Sequence, residues 1–225
     1  FSIVAYEPSE GAWGIAVASK FLAVGSVVPH ARAGAGAVAT QSYAKVTFGS
    51  DGLAAMANGQ SARAALDAVL AADPQQAIRQ VGFVDAQGGS AAHTGAECYD
   101  WAGHRLGEGF TCQGNILAGA GVIDAMAETF VSAKGELADR LLAALVAGDA
   151  AGGDKRGKQS AALLIHSTEE YPEYSIRVDD HPEPLAELRR LVDVYEADYA
   201  MFRQVLPSRA NPSGIYDRAK IEEVR

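Results

Sequence analysis

A chain of 225 residues is long enough for one large domain, or for one domain and a tail. Its 28 acidic residues outnumber 19 basic ones, and the formal net charge of −9 argues against nucleic acid, whose phosphates must be neutralised by Lys and Arg, and against an anionic membrane surface. No apolar run approaches the roughly 20 residues of a membrane span, no signal peptide is read at the start, and two cysteines are too few for a disulfide framework, so a cytoplasmic protein with reduced thiols is expected.

Residues 1–6, FSIVAY, are apolar and β-prone. Pro8, Ser9, Glu10 and Gly11 make a turn, and residues 13–19 form a second apolar strand. This hairpin predicts a terminal amine at a sheet edge, beside the end of the second strand. Hydrolases whose nucleophile is the N-terminal residue need that geometry, because the free amine serves as the base. A strand merely tied into a sheet reads the same way. After a loop, residues 34–41 form a third strand. Two helices follow. One covers 50–57 and stops at Asn58-Gly59; the other is capped by Ser61 and runs to Asp73-Pro74.

A second β region covers 81–85 and 89–94, then a short apolar stretch reaches about Leu117. Helices return in GVIDAMAETFVSA and ELADRLLAALVAG. In the latter, Leu137, Leu141, Leu142, Leu145 and Val146 make an apolar stripe. The glycine-rich loop 151–159 leads into two strands, SAALLIHS and YSIRVDD. Pro182 and Pro184 open a last helix, and a polar tail starts at Pro207. Segregated β and α blocks predict an α+β fold with two facing sheets and a helix layer on each outer side. The domain is placed at residues 1–206 and the tail at 207–225.

The segments FSIVAYEP, GIAVASKFLAVGSVVPHARAGAGAVATQS, AAHTG, CQGNILAG, AGGDKRGKQSAALL and RVDDHPEPLAELRRL resemble the family called domain of unknown function 1028. The resemblance spans about residues 1–206. It implies the four-layer αββα sandwich of the N-terminal nucleophile hydrolases and hydrolysis of a small C–N amide without cofactor. Members usually read Thr-Phe-Ser-Ile-Val behind the initiator Met, whereas this sequence opens at Phe1, which has no nucleophilic atom. The nucleophile is then a preceding Thr, or Ser2 if Phe1 were removed. A catalytically silent small-molecule-binding module on the same fold is the alternative.

Candidate catalytic residues are Ser2, Arg32, Gln41, Asn115, Asp154 and Ser160. Arg32 is either the cation beside the amine or a surface arginine ahead of a strand. The Gln41 amide and the backbone at the Thr40-Gln41-Ser42 strand end are oxyanion donors or satisfy their own turn. Asn115 lies in an apolar stretch, so its amide pairs with backbone or with substrate. In the loop from Gly152, Asp154 or Ser160 anchors the amine, or Asp154 and Arg156 form a local ion pair in a solvated turn. Lys20, Thr40, His93, Arg156 and Gln159 are candidate substrate contacts. No metal site is expected, because Asp179 and Asp180 are adjacent on a strand and point to opposite faces. Cys98 and Cys112 read as inert buried thiols. Exposed sheet edges and apolar helix faces predict a homodimer.

Overall fold

The computed structural model describes residues 1–224. The N-terminal hairpin forms as its alternation requires, from β1 (Ser2–Glu7) and β2 (Ala12–Ser19). The chain then adds β3 (Pro29–Arg32), β4 (Gly36–Ser42), α1 (Thr47–Ala57) and α2 (Ala62–Ala71). Next come β5 (Arg79–Asp85), β6 (Ser90–Thr94), β7 (Gly103–Gly107) and β8 (Phe110–Gly114). The remainder is α3 (Ala120–Ser132), α4 (Leu137–Ala150), β9 (Ser160–His166), β10 (Tyr174–Val178), α5 (Pro184–Val194), α6 (Phe202–Val205) and α7 (Arg218–Val224).

Two antiparallel sheets result, giving a mixed α+β fold. One has six strands in the order β10-β9-β2-β1-β8-β7, and the other four in the order β3-β4-β5-β6. β1 therefore lies inside its sheet, between β2 and β8, and not at an edge as expected. The β1–β8 pairing joins residues more than a hundred positions apart, so no local pattern announces it. Likewise, the apolar stretch before Leu117 is a hairpin, β7–β8. The segment at Pro29, expected to be loop, is an edge strand, where a missing N–H costs no ladder bond.

Alternation along each strand separates three apolar clusters. Ile3, Ala5, Ala16, Ala18, Cys112, Leu163 and Ile165 pack against Met126 of α3, Leu141 and Leu145 of α4, and Leu188 of α5. Val38, Val81 and Phe83 pack against Phe48 and Met56 of α1 and Leu66 of α2. Val4, Ile15 and Val17 of one sheet meet Ala37, Ala39 and Val84 of the other. Leu137, Leu141 and Leu145 are 0% exposed, and each such side chain contributes about 1.5–3 kcal/mol. Val146 of the expected stripe is 52% exposed, because α4 has already turned that flank to solvent. Ser61 caps α2 as predicted, accepting from Ala64 N at 3.3 Å. At one end of the interlayer the Trp13 indole donates to Asp85 O at 3.0 Å. The tail is tied down where it begins: Tyr171 Oη donates to Pro207 O, and Arg209 pairs with Glu170 at 2.8 Å. Among the described residues, no helix is long and apolar enough to cross a membrane.

Candidate active site

The sheets part at the end where β1 begins, leaving a cleft of about 260 Å³. Phe1 lies in it, with Ala18 and Ser19 from the end of β2. Residues Phe21, Val24, Val27 and Val28 give it apolar lining. Gln41 and Ser42 at the end of β4, Tyr43 just beyond it, Tyr99, and Asn115 after β8 give polar lining, and Ile116 adds an apolar side chain. The Tyr43 and Tyr99 hydroxyls share a hydrogen bond of 2.6 Å at the rim. Asp154 and Arg156 complete the cleft. The 151–159 loop is brought there by backbone bonds onto the extension of β8: Ala118 N to Gly153 O at 3.0 Å and Lys155 N to Ile116 O at 2.9 Å.

A buried polar seam runs between the sheets behind the cleft. Its polarity follows from two backbone carbonyls. Gly114 O and Gly103 O can only accept, so the Gln80 amide Nε2 faces them, at 2.8 and 3.1 Å. Gln80 Oε1 then accepts from Gln41 Nε2 at 2.8 Å and from Asn115 Nδ2 at 3.0 Å. Gln41 Oε1 in turn accepts from the Ser2 hydroxyl at 2.7 Å, and that hydroxyl accepts from Gln113 Nε2 at 2.7 Å. Gln41 and Asn115 are thus held by one residue, each with a second amide proton left over.

Ser42 and Ile116, which immediately follow these two amides, have φ of +70° and +57°. Side-chain-bearing residues there cost about 1–3 kcal/mol each, and the cost is greatest for a β-branched residue. The Ser42 hydroxyl is buried without a hydrogen-bond partner.

The Phe1 nitrogen donates to Ala18 O at 3.0 Å. Carried as a free amine, its pKa is pulled down to about 6; burial is the main cause, Asp154 opposes it and Arg156 adds to it. Arg156 forks onto Asp154, with Nε at 3.0 Å and Nη2 at 2.7 Å. Burial works to raise the Asp154 carboxyl, but the bonds and charge of Arg156 outweigh it and hold the pKa below the usual carboxylate range.

The model of a family of unknown function, DUF1028, matches residues 1–188. The chain belongs to the DUF1028 family. The crystal structure of protein SPO2555 from Silicibacter pomeroyi, assigned to the same family, is similar to it. The identity is 33%, the match covers 96% of this chain and 95% of that chain, and the TM-score is 0.89. Anbu, an ancestral beta-subunit from Yersinia bercovieri, matches at 14% identity over 92% of this chain and 99% of that chain, with a TM-score of 0.40. No curated protein matches.

In this DUF1028 chain the cleft brings together four of the expected residues: Gln41, Asn115, Asp154 and Arg156. The others lie elsewhere. Arg32 is exposed at the turn of the β3–β4 pair, opposite Gly36 and at the far end of that sheet from Gln41. Ser2 is fully buried and locked into the seam. Ser160 turns its hydroxyl to Phe21 O and Val24 N, fixing the loop after β2 and not an amine. Lys20 is exposed and reaches Asp154 only through its backbone N, at 3.4 Å. Thr40 faces the helix side and donates to Lys45 O. His93 bonds Gln76 O on the outermost strand of its sheet, and Gln159 bonds Asp180. Sequence reasoning passed over Gln80, although QVGFVD alternates and puts it on the same face as the inward-facing Val84. It also passed over Tyr43, Tyr99 and Ile116, which no local pattern marks.

Proposed function

We propose that the protein is an amidohydrolase of the N-terminal nucleophile type, on a four-layer αββα sandwich comprising residues 1–206, and that it cleaves a small amide in the cleft at the start of β1. The nucleophile is the hydroxyl of a Thr immediately ahead of Phe1. The strand alternation of β1 carries this reading. Phe1 and Ile3 point to the helix side, whereas Ser2 and Val4 point between the sheets. A residue joined ahead of Phe1 therefore directs its side chain between the sheets, into the cleft where Gln41 and Asn115 stand.

In the reaction the Thr hydroxyl oxygen attacks the amide carbonyl, and its proton passes to the α-amine. Neutral donors from Gln41 and Asn115 hold the oxyanion. The α-ammonium then protonates the leaving amine as the C–N bond breaks, and water hydrolyses the resulting ester to regenerate the hydroxyl. Asp154 and Arg156 set the electrostatics at that terminus.

The test is the intact mass of protein made from its native start codon without an N-terminal tag, followed by amine release from an amide panel. A mass with Thr ahead of Phe1, and turnover lost on changing that Thr to Ala, is expected. Absence of turnover across the panel with the Thr in place refutes the reading. One observation favours a ligand-binding module instead: Ser42, the unpaired hydroxyl at the cleft, has no base within hydrogen-bond distance. That module gives ligand-dependent thermal stabilisation without turnover.

A further inference from the structure

We propose that the cleft selects a neutral carboxamide carrying a branched apolar group and rejects the matching carboxylate. This deepens the reading above and rests on the same cleft being the substrate site.

Charge is the first argument. Among the described residues lining the cleft, Arg156 is the one cationic side chain, and its Nε and Nη2 are both committed to Asp154. Asp154 is only 8% exposed, so its carboxylate depends on that fork. An incoming carboxylate would have to draw Arg156 away and strand a buried anion, or else lie beside that anion. An arginine in a cleft ordinarily suggests an acidic ligand; here the guanidinium charge is already balanced by the Asp154 carboxylate.

The donor pattern is the second. The carbonyls of Gly103 and Gly114 fix the amide orientation of Gln80, and Gln80 fixes those of Gln41 and Asn115. Each of the two amides spends one proton on Gln80 Oε1 and keeps one for the cleft. Asn115 Oδ1 remains as an acceptor. A carboxamide offers a carbonyl to the donors and an N–H to that acceptor. A carboxylate has no proton to give, and faces Asn115 Oδ1 as a second acceptor.

The third argument is shape. Val24, Val27 and Val28, with the Phe21 ring, line the cleft with branched methyls and an aromatic edge. A volume of about 260 Å³ suits a ligand the size of one capped amino acid.

The experiment is calorimetric titration at pH 7.5 of N-acetyl-leucinamide and of N-acetyl-leucine, which is nearly isosteric but anionic. Ammonia release is followed in the same samples. The amide is expected to bind at least tenfold more tightly than the acid. Val27→Thr, half-buried and isosteric, is expected to weaken the amide several-fold, and Asn115→Leu, which removes the acceptor while Gln41 still donates to Gln80, to shrink its advantage over the acid several-fold. Thermal melts of both variants confirm that they fold. Equal or tighter binding of the acid overturns the proposal, and so does the absence of binding by either compound at 10 millimolar (roughly the weakest affinity a capped amino acid in a matching cleft should show). Amide-selective binding without ammonia release leaves this selectivity standing and counts only against the hydrolase reading.

Discussion

Gln80→Leu removes the residue that holds both cleft amides. Gln80 is 0% exposed, and its side chain has five hydrogen-bond partners: Oε1 accepts from Gln41 and Asn115, and the two Nε2 protons are shared among Thr94 Oγ1, Gly103 O and Gly114 O. Leucine fills nearly the same volume, so the loss is polar and leaves no cavity. Gln41 and Asn115 border the cleft and recover water on one side. The buried Gly114 O does so less readily, whereas Thr94 Oγ1 keeps His104 as a partner. At about 0.5–1.5 kcal/mol for each bond exchanged and about 1–3 kcal/mol for a group left stranded, the sum is about 3–5 kcal/mol. That is a large part of a typical stability of about 5–15 kcal/mol. Urea unfolding followed by Trp13 and Trp101 fluorescence should show a midpoint lower by about 1–2 M. A loss below about 1 kcal/mol refutes the claim that the seam depends on Gln80. Gln80→Glu refines the test. It keeps an acceptor for the two amides but sets a carboxylate oxygen against two carbonyls, so its folded-state pKa is raised. Its deficit is therefore smallest below the unfolded Glu value of about 4.3 and grows as pH rises through the folded value.

In a chain whose first residue is Phe1, the amine pKa lies below its ordinary 8.0, at about 6. Stability is then full above pH 8 and erodes as pH falls toward 6; an isotope-labelled amine followed by NMR should titrate near 6, and a midpoint near 8 contradicts its burial. Asp154 has the same sign in a more acidic window, because its folded pKa is also lowered: its contribution holds above the unfolded value and is lost as pH falls through the folded one. Arg156→Ala should flatten that acid limb, and an unchanged acid melt would show the fork to be inert. Gly52→Ala places a Cβ 2.2 Å from the Phe83 ring and should cost about 1–3 kcal/mol by calorimetry, since the ring is fixed between α1 and its sheet. The protein is predicted to be a homodimer in solution, and light scattering that returns a monomer at micromolar concentration counts against it.

Local features of the fold were readable: the first hairpin, the Ser61 cap and the two helices after Gly119 each carry their signal within a few residues. Pairings such as β1 with β8 carry none, because they depend on which strands collapse together. The candidate site divides the same way. Asp154 and Arg156 were legible because two charges sit among glycines in a loop bound to approach a strand end. Asn115 was legible because an amide in an apolar stretch needs a partner, and Gln41 because it is an amide at a strand end. Arg32 misled, since its distance from the cleft is set by which end of β3 it occupies. Ser160 misled because its hydroxyl is taken by the loop after β2, a contact spanning 139 positions.

The polar seam also acts as a vernier between the sheets. Gln41 and Gln80 sit on one sheet, Ser2, Thr111 and Gln113 on the other, and they interlock at one end of an otherwise apolar interface. Valines and alanines tolerate sliding, since one methyl is much like another. Directional amides do not. A one-residue slip of β1 would turn the Ser2 hydroxyl toward α3 and α4 and bring Ile3 against Gln41, stranding several donors at once. The same residues that shape the cleft thus fix the alignment of the whole molecule, which ties the evolution of the pocket to the foldability of the chain.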